Sequence, residues 1–473
     1  VKFFEGDFAI AIWDNNRKRL FLFRDRFGVK PLYFTNSRNF FRFGSTLQSI
    51  IVKNDIDLAL DEKSLHMHFS LHSVVPAPDT LFKNIKKVPP GCYLSIDENK
   101  KISIIQYWKL ESPEQKNIIT NENEATETIE YLLKESIEKR LSASDIDVGV
   151  LLSGGLDSSM IVALAKEKFP KLKTYSIGFE DDKEEKGNEF IYSDQVVKKY
   201  KTDHKKFIID NTLVLSKLPK AFEAMSEPMV AQDAIAFYML SELVRKDVKV
   251  ILSGQGADEG FAGYFWYNKI NLEKNDHINF LKHYIDRSED ELNEFLNIKF
   301  SSNFTNLMVK NKFRDINAET LLGSVLNFDI TTLVVDDPVK RVDNMTMAWG
   351  LEARVPFLDH KLIEASIKID PNIHLRRNGK NILKIISDKL LPKDIITRKK
   401  GYFPMPALKF IRGEYYDFVY DILNSSKCYN RNLYNKDYIK KLLEKPNDHK
   451  TAIDGNKLWH AAATELWFQV NLD

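Results

Sequence analysis

The sequence predicts a two-domain α/β protein, with a β-rich first domain and a larger second domain built on a parallel sheet. The chain has 473 residues, which is too long for one hydrophobic core and long enough for two. Short strand-like runs joined by turns dominate the first part. In the second part strands and helices alternate, which implies parallel pairing through crossover connections. From about Asn271 onward the pattern is helical, and we expect no further strand there.

The first domain is predicted from short runs rich in β-branched and aromatic residues. Strands are expected at residues 8–13, 20–24, 31–34, 40–44, 91–96 and 102–108, with a helix at 61–69. Residues 111–123 are mostly polar, which is typical of a linker. We therefore place the first domain at 1–110, the linker at 111–123 and the second domain at 124–473.

The second domain begins with alternating helix and strand patterns. Helices are expected at 125–140, 158–169, 190–200 and 231–244, and strands at 148–152, 173–179 and 248–252. In parallel sheets of this kind, ligands bind beyond the carboxyl ends of the strands. The residues that follow each strand are therefore the first candidates for a functional site.

The composition argues against several functional classes. Lys and Arg total 69 against 67 Asp and Glu, so no strong field draws the protein to nucleic acid or to a membrane. Cys92 and Cys428 are the only cysteines in the sequence, which argues against a disulfide scaffold and a cysteine metal site. We find no run of about 18 apolar residues and no leader pattern. We expect a cytoplasmic protein that acts on small molecules.

A phosphate-binding loop follows the strand at 148–152. The sequence SGGLDSS, residues 153–159, joins this strand to a helix. Its glycines let backbone N–H groups close on an anion, its serines add hydroxyl donors, and the helix N-terminus adds partial positive charge. The loop lacks both the Gly-Lys-Ser/Thr ending of the Walker loop and the dinucleotide fingerprint. Asp157 would repel phosphate unless a divalent cation such as Mg²⁺ lies between them.

A second glycine-rich, acidic loop follows the strand at 248–252. Its sequence, SGQGADE, covers residues 253–259. Because both loops follow strands of one predicted parallel sheet, Asp157 and Asp258 can reach a common metal ion from two directions.

These strings resemble those of the asparagine synthetase family within the ATP-pyrophosphatases. The second domain carries SGGLDSS and GLEARVPFLDH, and the first carries FEGDFAIAIWD and RDRFGVKPLYF. The resemblance covers essentially the whole chain. It implies a parallel-sheet, adenine nucleotide α-hydrolase-like synthetase domain with a helical C-terminal part. The first domain would be the later part of an α+β N-terminal-nucleophile glutaminase sandwich.

The resemblance also implies the functional residues. Lys400 would stabilise charge at the α-phosphate, with Lys380 and Glu352 as further catalytic candidates. Asp157 and Asp258 would bind Mg²⁺. Several family members have Glu at the position of Gln255, so the role of that acid is not carried over to this chain. The residues expected at ATP and pyrophosphate are Leu152, Ser153, Gly154, Gly155, Asp157, Ser158, Ser159, Ile177, Ser253, Gly254 and Gln255.

Other charged residues near the second family string are expected to have structural roles. Arg341, Asp343, Arg354 and Asp359 lie among apolar residues. Buried charges must be paired, and such a network can hold loops in place.

The glutaminase of this family uses a cysteine at its mature amino terminus. Val1 has no nucleophile, and Cys92 lies in a turn where a small buried side chain is the simpler interpretation. We therefore expect no glutaminase nucleophile in this chain, and we expect the natural protein to be longer.

The function implied is a glutamine-dependent amidotransferase that uses ATP and Mg²⁺. ATP adenylates a carboxylate, and ammonia from glutamine displaces AMP. Aspartate is the default acceptor. The alternative is amidation of N-acetylglutaminylglutamine, whose branch the segment at 226–234 resembles. A remote alternative is an RNA-modifying ATP-pyrophosphatase, which predicts a basic groove and reactive cysteines. We expect no nucleic-acid or membrane partner, and a homodimer is possible.

Overall fold

Two antiparallel sheets form the first part of the chain. The computed structural model describes residues 1–181, 186–270, 276–398 and 405–473, without the side chains of 406 and 407. The sheets have strand orders β1-β2-β6-β7 and β4-β3-β5. Apolar side chains between them, such as Leu22, Phe34 and Leu94, make a small core. The elements are β1 (Ala9–Asp14), β2 (Arg19–Arg24), β3 (Tyr33–Asn36), β4 (Phe41–Gly44), α1 (Leu47–Ile51), α2 (Glu62–Ser70), β5 (Lys86–Lys87), β6 (Cys92–Ile96) and β7 (Ile102–Gln106).

A five-stranded parallel sheet forms the centre of the second part, with strand order β10-β9-β8-β11-β12. Its strands are β8 (Val148–Leu151), β9 (Lys173–Phe179), β10 (Asp203–Ile209), β11 (Val250–Leu252) and β12 (Glu352–Arg354). Val150 and Leu152 pack into one hydrophobic core, whereas Leu151 packs into the other. Because side chains alternate between faces along a strand, both faces of β8 are buried, which explains its continuous apolar run.

Helices cover both faces of this sheet and form the rest of the chain. Helices α3, α4 and α16 share one core, and α7, α13 and α22 contribute to the other. No single helix in the described ranges is long and apolar enough to cross a bilayer, although the bent pair 304–316 and 321–347 passes that test by length and composition. The helices are α3 (Glu122–Ser142), α4 (Leu156–Lys168), α5 (Phe190–Tyr200), α6 (Asn211–Ala224), α7 (Asp233–Val244), α8 (Ala257–Gly260), α9 (His277–Tyr284), α10 (Glu289–Phe295), α11 (Phe304–Ile316), α12 (Leu321–Phe328), α13 (Lys340–Met347), α14 (His360–Ser366), α15 (Pro371–Leu375), α16 (Asn381–Leu390), α17 (Lys393–Thr397), α18 (Pro406–Lys409), α19 (Glu414–Leu423), α20 (Ser426–Arg431), α21 (Lys436–Glu444) and α22 (Lys457–Asn471).

Most predicted elements are present within a few residues of their expected bounds, but two strands of the parallel sheet were not predicted. The expectation of no strand after Asn271 is wrong, because β12 (Glu352–Arg354) pairs with β11. Its three residues include two charged ones, and only its position beside β11 makes it a strand. Strand β10 was also missed. It lies at the sheet edge with Lys205 and Lys206 exposed, so it lacks the apolar run of a central strand.

Buried ion pairs join the first part of the chain to the second. Lys87, which is 1% exposed, bonds Glu227 at 3.1 Å and Asp336 at 2.6 Å. Lys30 bonds Asp343 at 2.9 Å. Removing one partner of a buried pair leaves an uncompensated charge, which is strongly destabilising. These pairs therefore favour a fixed arrangement of the two parts, in keeping with the structural role expected for Asp343.

Candidate active site

A cavity of about 420 Å³ lies beyond the carboxyl ends of β8, β9 and β11. The loops that follow β8 and β11 form one wall, so most residues predicted at the nucleotide meet there. Gly154, Ser159, Lys380 and Glu352 are not among the residues that line the cavity. The predicted residues that do line it are Leu152, Ser153, Gly155, Asp157, Ser158, Ile177, Ser253, Gly254, Gln255 and Asp258.

The first loop is built around glycine and serine. Gly154 has φ +78°, and a Cβ there would meet the Ser193 backbone nitrogen at 2.6 Å, so only glycine fits. The Ser153 and Ser158 hydroxyls are 3.1 Å apart. Gly155 precedes α4 and provides no side-chain cap, which leaves the first-turn N–H groups of the helix available to an anion. Ser159, by contrast, is fully buried.

The second loop packs directly against the first. A Cβ on Gly254 would lie 3.2 Å from the Asp157 Cβ, and Gly256 has φ +92°. The Ser253 N–H donates to the Arg354 carbonyl at 2.9 Å, which continues the sheet into the loop. The Ser253 hydroxyl donates to the Gln255 side-chain oxygen. The two loops thus present their acidic side chains to the same space.

Lys380 lies between the two predicted metal-binding carboxylates. Its Nζ is 2.8 and 2.7 Å from the oxygens of Asp157 and 2.7 Å from Oδ1 of Asp258. Burial opposes the charge, but the two carboxylates raise the pKa of the Lys380 ammonium above its ordinary value. The sequence did not predict this contact between Lys380 and the two acids, because only a phosphate contact was expected for the lysine.

The backbone at Lys380 is strained. Residues 377–380 all have positive φ, with Lys380 at +54°. A Cβ on Gly263 would lie 2.2 Å from both Lys380 Cε and Asp258 Oδ1, so the lack of a side chain there leaves room for this contact. Left-handed non-glycine residues cost free energy and persist where surrounding structure holds them. The surrounding structure therefore holds Lys380 in this conformation.

Like Lys380, the predicted catalytic residue Glu352 is not among the residues that line the cavity. Lys400 lies outside the described residues. Arg398 donates to the Gly154 carbonyl at 3.3 Å. Glu352 lies in β12, with its carboxylate 2.7 Å from Arg354 Nε. The geometry gives no support for a catalytic role of Glu352.

Four further residues that sequence motifs did not identify as a site also line the cavity, and we call them the far wall: Asp233, Asp337, Arg341 and His72. Arg341 bonds Asp233 and Asp337, with Nε 3.0 Å from Asp337 Oδ1. Burial raises the pKa of Asp337, although Arg341 opposes this rise. Arg341 was expected to be structural, and its pairing agrees with that expectation. The segment at 226–234, singled out for the acceptor, contributes Asp233 to this wall.

His72 reaches this wall from the first part of the chain. Its Nδ1 is 3.2 Å from Asp286 Oδ1, and its backbone N–H donates to Asp286 Oδ2 at 3.0 Å. Burial alone would lower the pKa of His72, but Asp286 raises it overall. No local sequence pattern connects two residues so far apart, and only the fold brings them together.

Asp157 and Asp258 are the two carboxylates predicted to bind a metal ion. Within residues 1–181, 186–270, 276–398 and 405–473, no group of three or more His, Cys, Asp or Glu side chains is arranged to hold a metal ion. The carboxylates of Asp157 and Asp258 nevertheless approach one point, the Lys380 ammonium. A cation at that point would need further oxygen ligands from a bound substrate.

Both thiols should resist alkylation in the folded protein. Burial raises the pKa of Cys92 to about 11 and that of Cys428 to about 12. Because the thiolate is the reactive form, iodoacetamide at neutral pH should label neither residue until guanidinium unfolds the chain, as read by peptide mass spectrometry. Rapid labelling of Cys92 in the folded protein would contradict this and would make that thiol a candidate nucleophile.

Comparison with known proteins agrees with the family resemblance. The asparagine synthase family model matches residues 128–469, and a glutamine amidotransferase domain model matches residues 1–108. Asparagine synthetase (glutamine-hydrolyzing) 1 of Bacillus subtilis (strain 168) is 30% identical, with 99% of this chain and 78% of that protein covered. The corresponding synthetase 3 of the same organism is 31% identical over 85% of this chain and 68% of that protein.

A more distant relative extends the same match. A putative asparagine synthetase (glutamine-hydrolyzing) of Mycobacterium tuberculosis (strain ATCC 25618 / H37Rv) is 27% identical, with 89% of this chain and 70% of that protein covered. These matches confirm the predicted fold, a parallel-sheet ATP-pyrophosphatase domain preceded by glutaminase-type sheets. The chain therefore belongs to the asparagine synthase family and is an ATP-dependent carbon–nitrogen ligase.

Proposed function

We propose that this protein adenylates the side-chain carboxylate of aspartate with ATP and that ammonia derived from glutamine then displaces AMP, which gives asparagine. One observation carries the proposal. Asp157, Asp258 and Lys380 converge beside a glycine-rich loop at the N-terminus of α4. A helix N-terminus and a buried cation beside acidic side chains suit a reaction that releases pyrophosphate.

The first loop would hold the departing pyrophosphate. Ser153, Gly155 and Ser158 line the cavity, and the Ser153 and Ser158 hydroxyls lie 3.1 Å apart. Leu152 donates its N–H to Tyr175, and its carbonyl accepts from Ser176, so its backbone polar groups are already used. Leu152 and Ile177 would therefore contact adenine mainly through apolar atoms.

Asp157 and Asp258 are suited to Mg²⁺. Both offer carboxylate oxygens, the ligand type that this ion prefers, and both lie within 2.8 Å of a single Nζ. When bound, Mg²⁺ would supply positive charge that offsets the charge of the pyrophosphate. The Lys380 ammonium would then leave the carboxylates and face the phosphates, the contact expected from the sequence. Lys400 remains the second proposed cation.

The charged far wall supports aspartate as the acceptor. The non-reacting end of aspartate carries an ammonium and a carboxylate, and the wall carries Asp233 and Asp337 as well as Arg341 and His72. N-acetylglutaminylglutamine, the alternative acceptor, offers this wall neutral amides. The acids also disfavour a polyanion, which weighs against the RNA-modifying alternative.

ATP turnover should yield AMP and pyrophosphate rather than ADP and phosphate. The reason is that the first loop is placed for a departing pyrophosphate and has no Walker lysine. The protein should be incubated with ATP, magnesium, ammonium and either aspartate or N-acetylglutaminylglutamine, with nucleotides separated by chromatography and the amide identified by mass. ADP as the main product would contradict adenylation, and amide from the dipeptide alone would contradict aspartate as the acceptor.

A further inference from the structure

We propose that His72, a residue of the amidotransferase domain, binds the acceptor carboxylate that is not adenylated and so helps the synthetase site to select its acceptor. This inference rests on the proposed function, since it assigns a partner to the second carboxylate of aspartate. It also gives the first domain a direct part in a site otherwise formed by the second.

The His72 ring is held in place before any acceptor binds. Asp286, which is 3% exposed, accepts both from the ring Nδ1–H and from the His72 backbone N–H. On another side, a Cβ on Gly455 would lie 3.3 Å from His72 Cε1, so this loop packs closely against the ring. Fixed donors lose little entropy on binding, which favours recognition by such a group.

The second ring nitrogen is available to a ligand. His72 lines the cavity, and its side chain is 20% exposed. In the part of the chain that the structure describes, no hydrogen bond is formed by Nε2 of His72. With Nδ1–H committed to Asp286, protonation of the ring leaves Nε2–H as a donor toward the cavity.

Backbone strain points to the same residue. His72 and Ser73 have φ of +59° and +64°. Two consecutive non-glycine residues in the left-handed region cost free energy that packing must offset, and such residues concentrate at functional sites.

Arg341 is less suited to this role, although it lies in the same wall. Its guanidinium already bonds the carboxylates of Asp233 and Asp337, so binding a third carboxylate would require breaking those contacts. Lys450 also lines the cavity, but a lysine side chain is long and flexible and loses more rotamer freedom when it binds. Of Arg341, Lys450 and His72, only His72 is both held in place and, within the described residues, not already paired through the nitrogen that would bind the acceptor.

The test compares His72→Asn with the wild-type protein, using ammonium as the nitrogen source and saturating ATP. Asparagine tolerates a left-handed backbone, so the turn should be retained. We expect the KM for aspartate to rise at least tenfold, because a hydrogen bond to a charged group is lost, while the KM for ATP and kcat change less than about threefold. His277→Asn is the matched control, since His277 also lies beside an aspartate, 3.2 Å from Asp276, but does not line the cavity.

A truncated acceptor separates recognition from folding. β-Alanine keeps the reacting carboxylate and the amine but lacks the second carboxylate. The wild-type preference for aspartate over β-alanine, measured as a ratio of kcat/KM values, should fall at least tenfold in His72→Asn and should not change in His277→Asn.

Three outcomes would overturn the inference in distinguishable ways. An unchanged preference in a folded His72→Asn protein excludes His72, and a loss of preference in Lys450→Gln instead assigns the carboxylate to that lysine. Wild-type protein that forms no AMP with aspartate overturns the proposed acceptor itself, and the role of His72 falls with it. Unfolding midpoints of all variants show whether a change in KM reflects folding.

Discussion

Asp157→Asn and Asp258→Asn should each lower aspartate-dependent exchange of pyrophosphate into ATP by at least about 10²-fold. Each substitution keeps the shape of the side chain but removes one of the negative charges that converge on a single point. A hard cation such as Mg²⁺ binds carboxylate much more strongly than a neutral amide. Raising the magnesium concentration should therefore restore part of the lost rate in both variants.

Two control variants should retain more activity than Asp157→Asn and Asp258→Asn. Gln255→Ala should lose less rate, because it removes no charge from the site. Asp194→Asn should lose none, since Asp194 lies on α5 beside the exposed Lys206. If high magnesium restored neither Asp157→Asn nor Asp258→Asn, and nucleotide binding and the unfolding midpoint were normal, the proposed metal role of these residues would be wrong.

The loops of the site could be predicted because each is encoded in a short stretch of sequence. Glycine, serine and aspartate follow one another in residues 153–159, and the strand and helix patterns on either side place that stretch at a strand end. The same holds for residues 253–259. In both loops the functional residues lie directly beside the strand and helix patterns that position them, so the prediction required no knowledge of long-range contacts.

The position of Lys380 could not be predicted in the same way. It lies 223 residues after Asp157 in the chain, and a lysine after a glycine at the start of a helix is ordinary in sequence. Its contact with both acids depends on where α16 packs against α3 and α4 and on close approaches at Gly263 and Gly379. Such approaches are properties of the fold rather than of any local pattern.

The arrangement of the far wall could not be predicted from local sequence either. His72 and Asp286 are 214 residues apart and belong to different parts of the chain. Asp329 and Asp337 lie in π-helical turns at 329–333 and 335–339. Such turns arise inside longer helices and are frequent at functional sites, but a helical hydrophobic pattern does not reveal them. The arrangement of these residues therefore depends on long-range packing that no local pattern reveals.

Lys380→Asn should change metal binding and catalysis in opposite directions. Asparagine accepts the left-handed backbone of this position, so the main effect is loss of the ammonium between Asp157 and Asp258. Without nucleotide, the freed carboxylates should bind Mn²⁺, used in place of Mg²⁺, more tightly than in the wild-type protein, as measured by electron paramagnetic resonance. The exchange rate should fall by about 10²-fold, because a cation that would face the phosphates is lost.

The free energy of unfolding gives an independent measure of the contact between Lys380 and the two acids. Lys380 is 7% exposed, and removing one partner of a buried charge cluster costs about 3 kcal/mol or more. The free energy of unfolding of Lys380→Asn should therefore fall. Mn²⁺ should raise it by more in this variant than in the wild-type protein, because a ligand that binds only the folded state stabilises that state.

Lys384→Asn is the matched control. Lys384 lies one turn further along α16 and donates to the Arg377 carbonyl at 2.5 Å, so its loss should change Mn²⁺ affinity and the exchange rate far less than the loss of Lys380. If Lys380→Asn bound Mn²⁺ no more tightly than the wild-type protein, the carboxylate pair would not be a metal site, and the lysine would serve only to neutralise two buried acids.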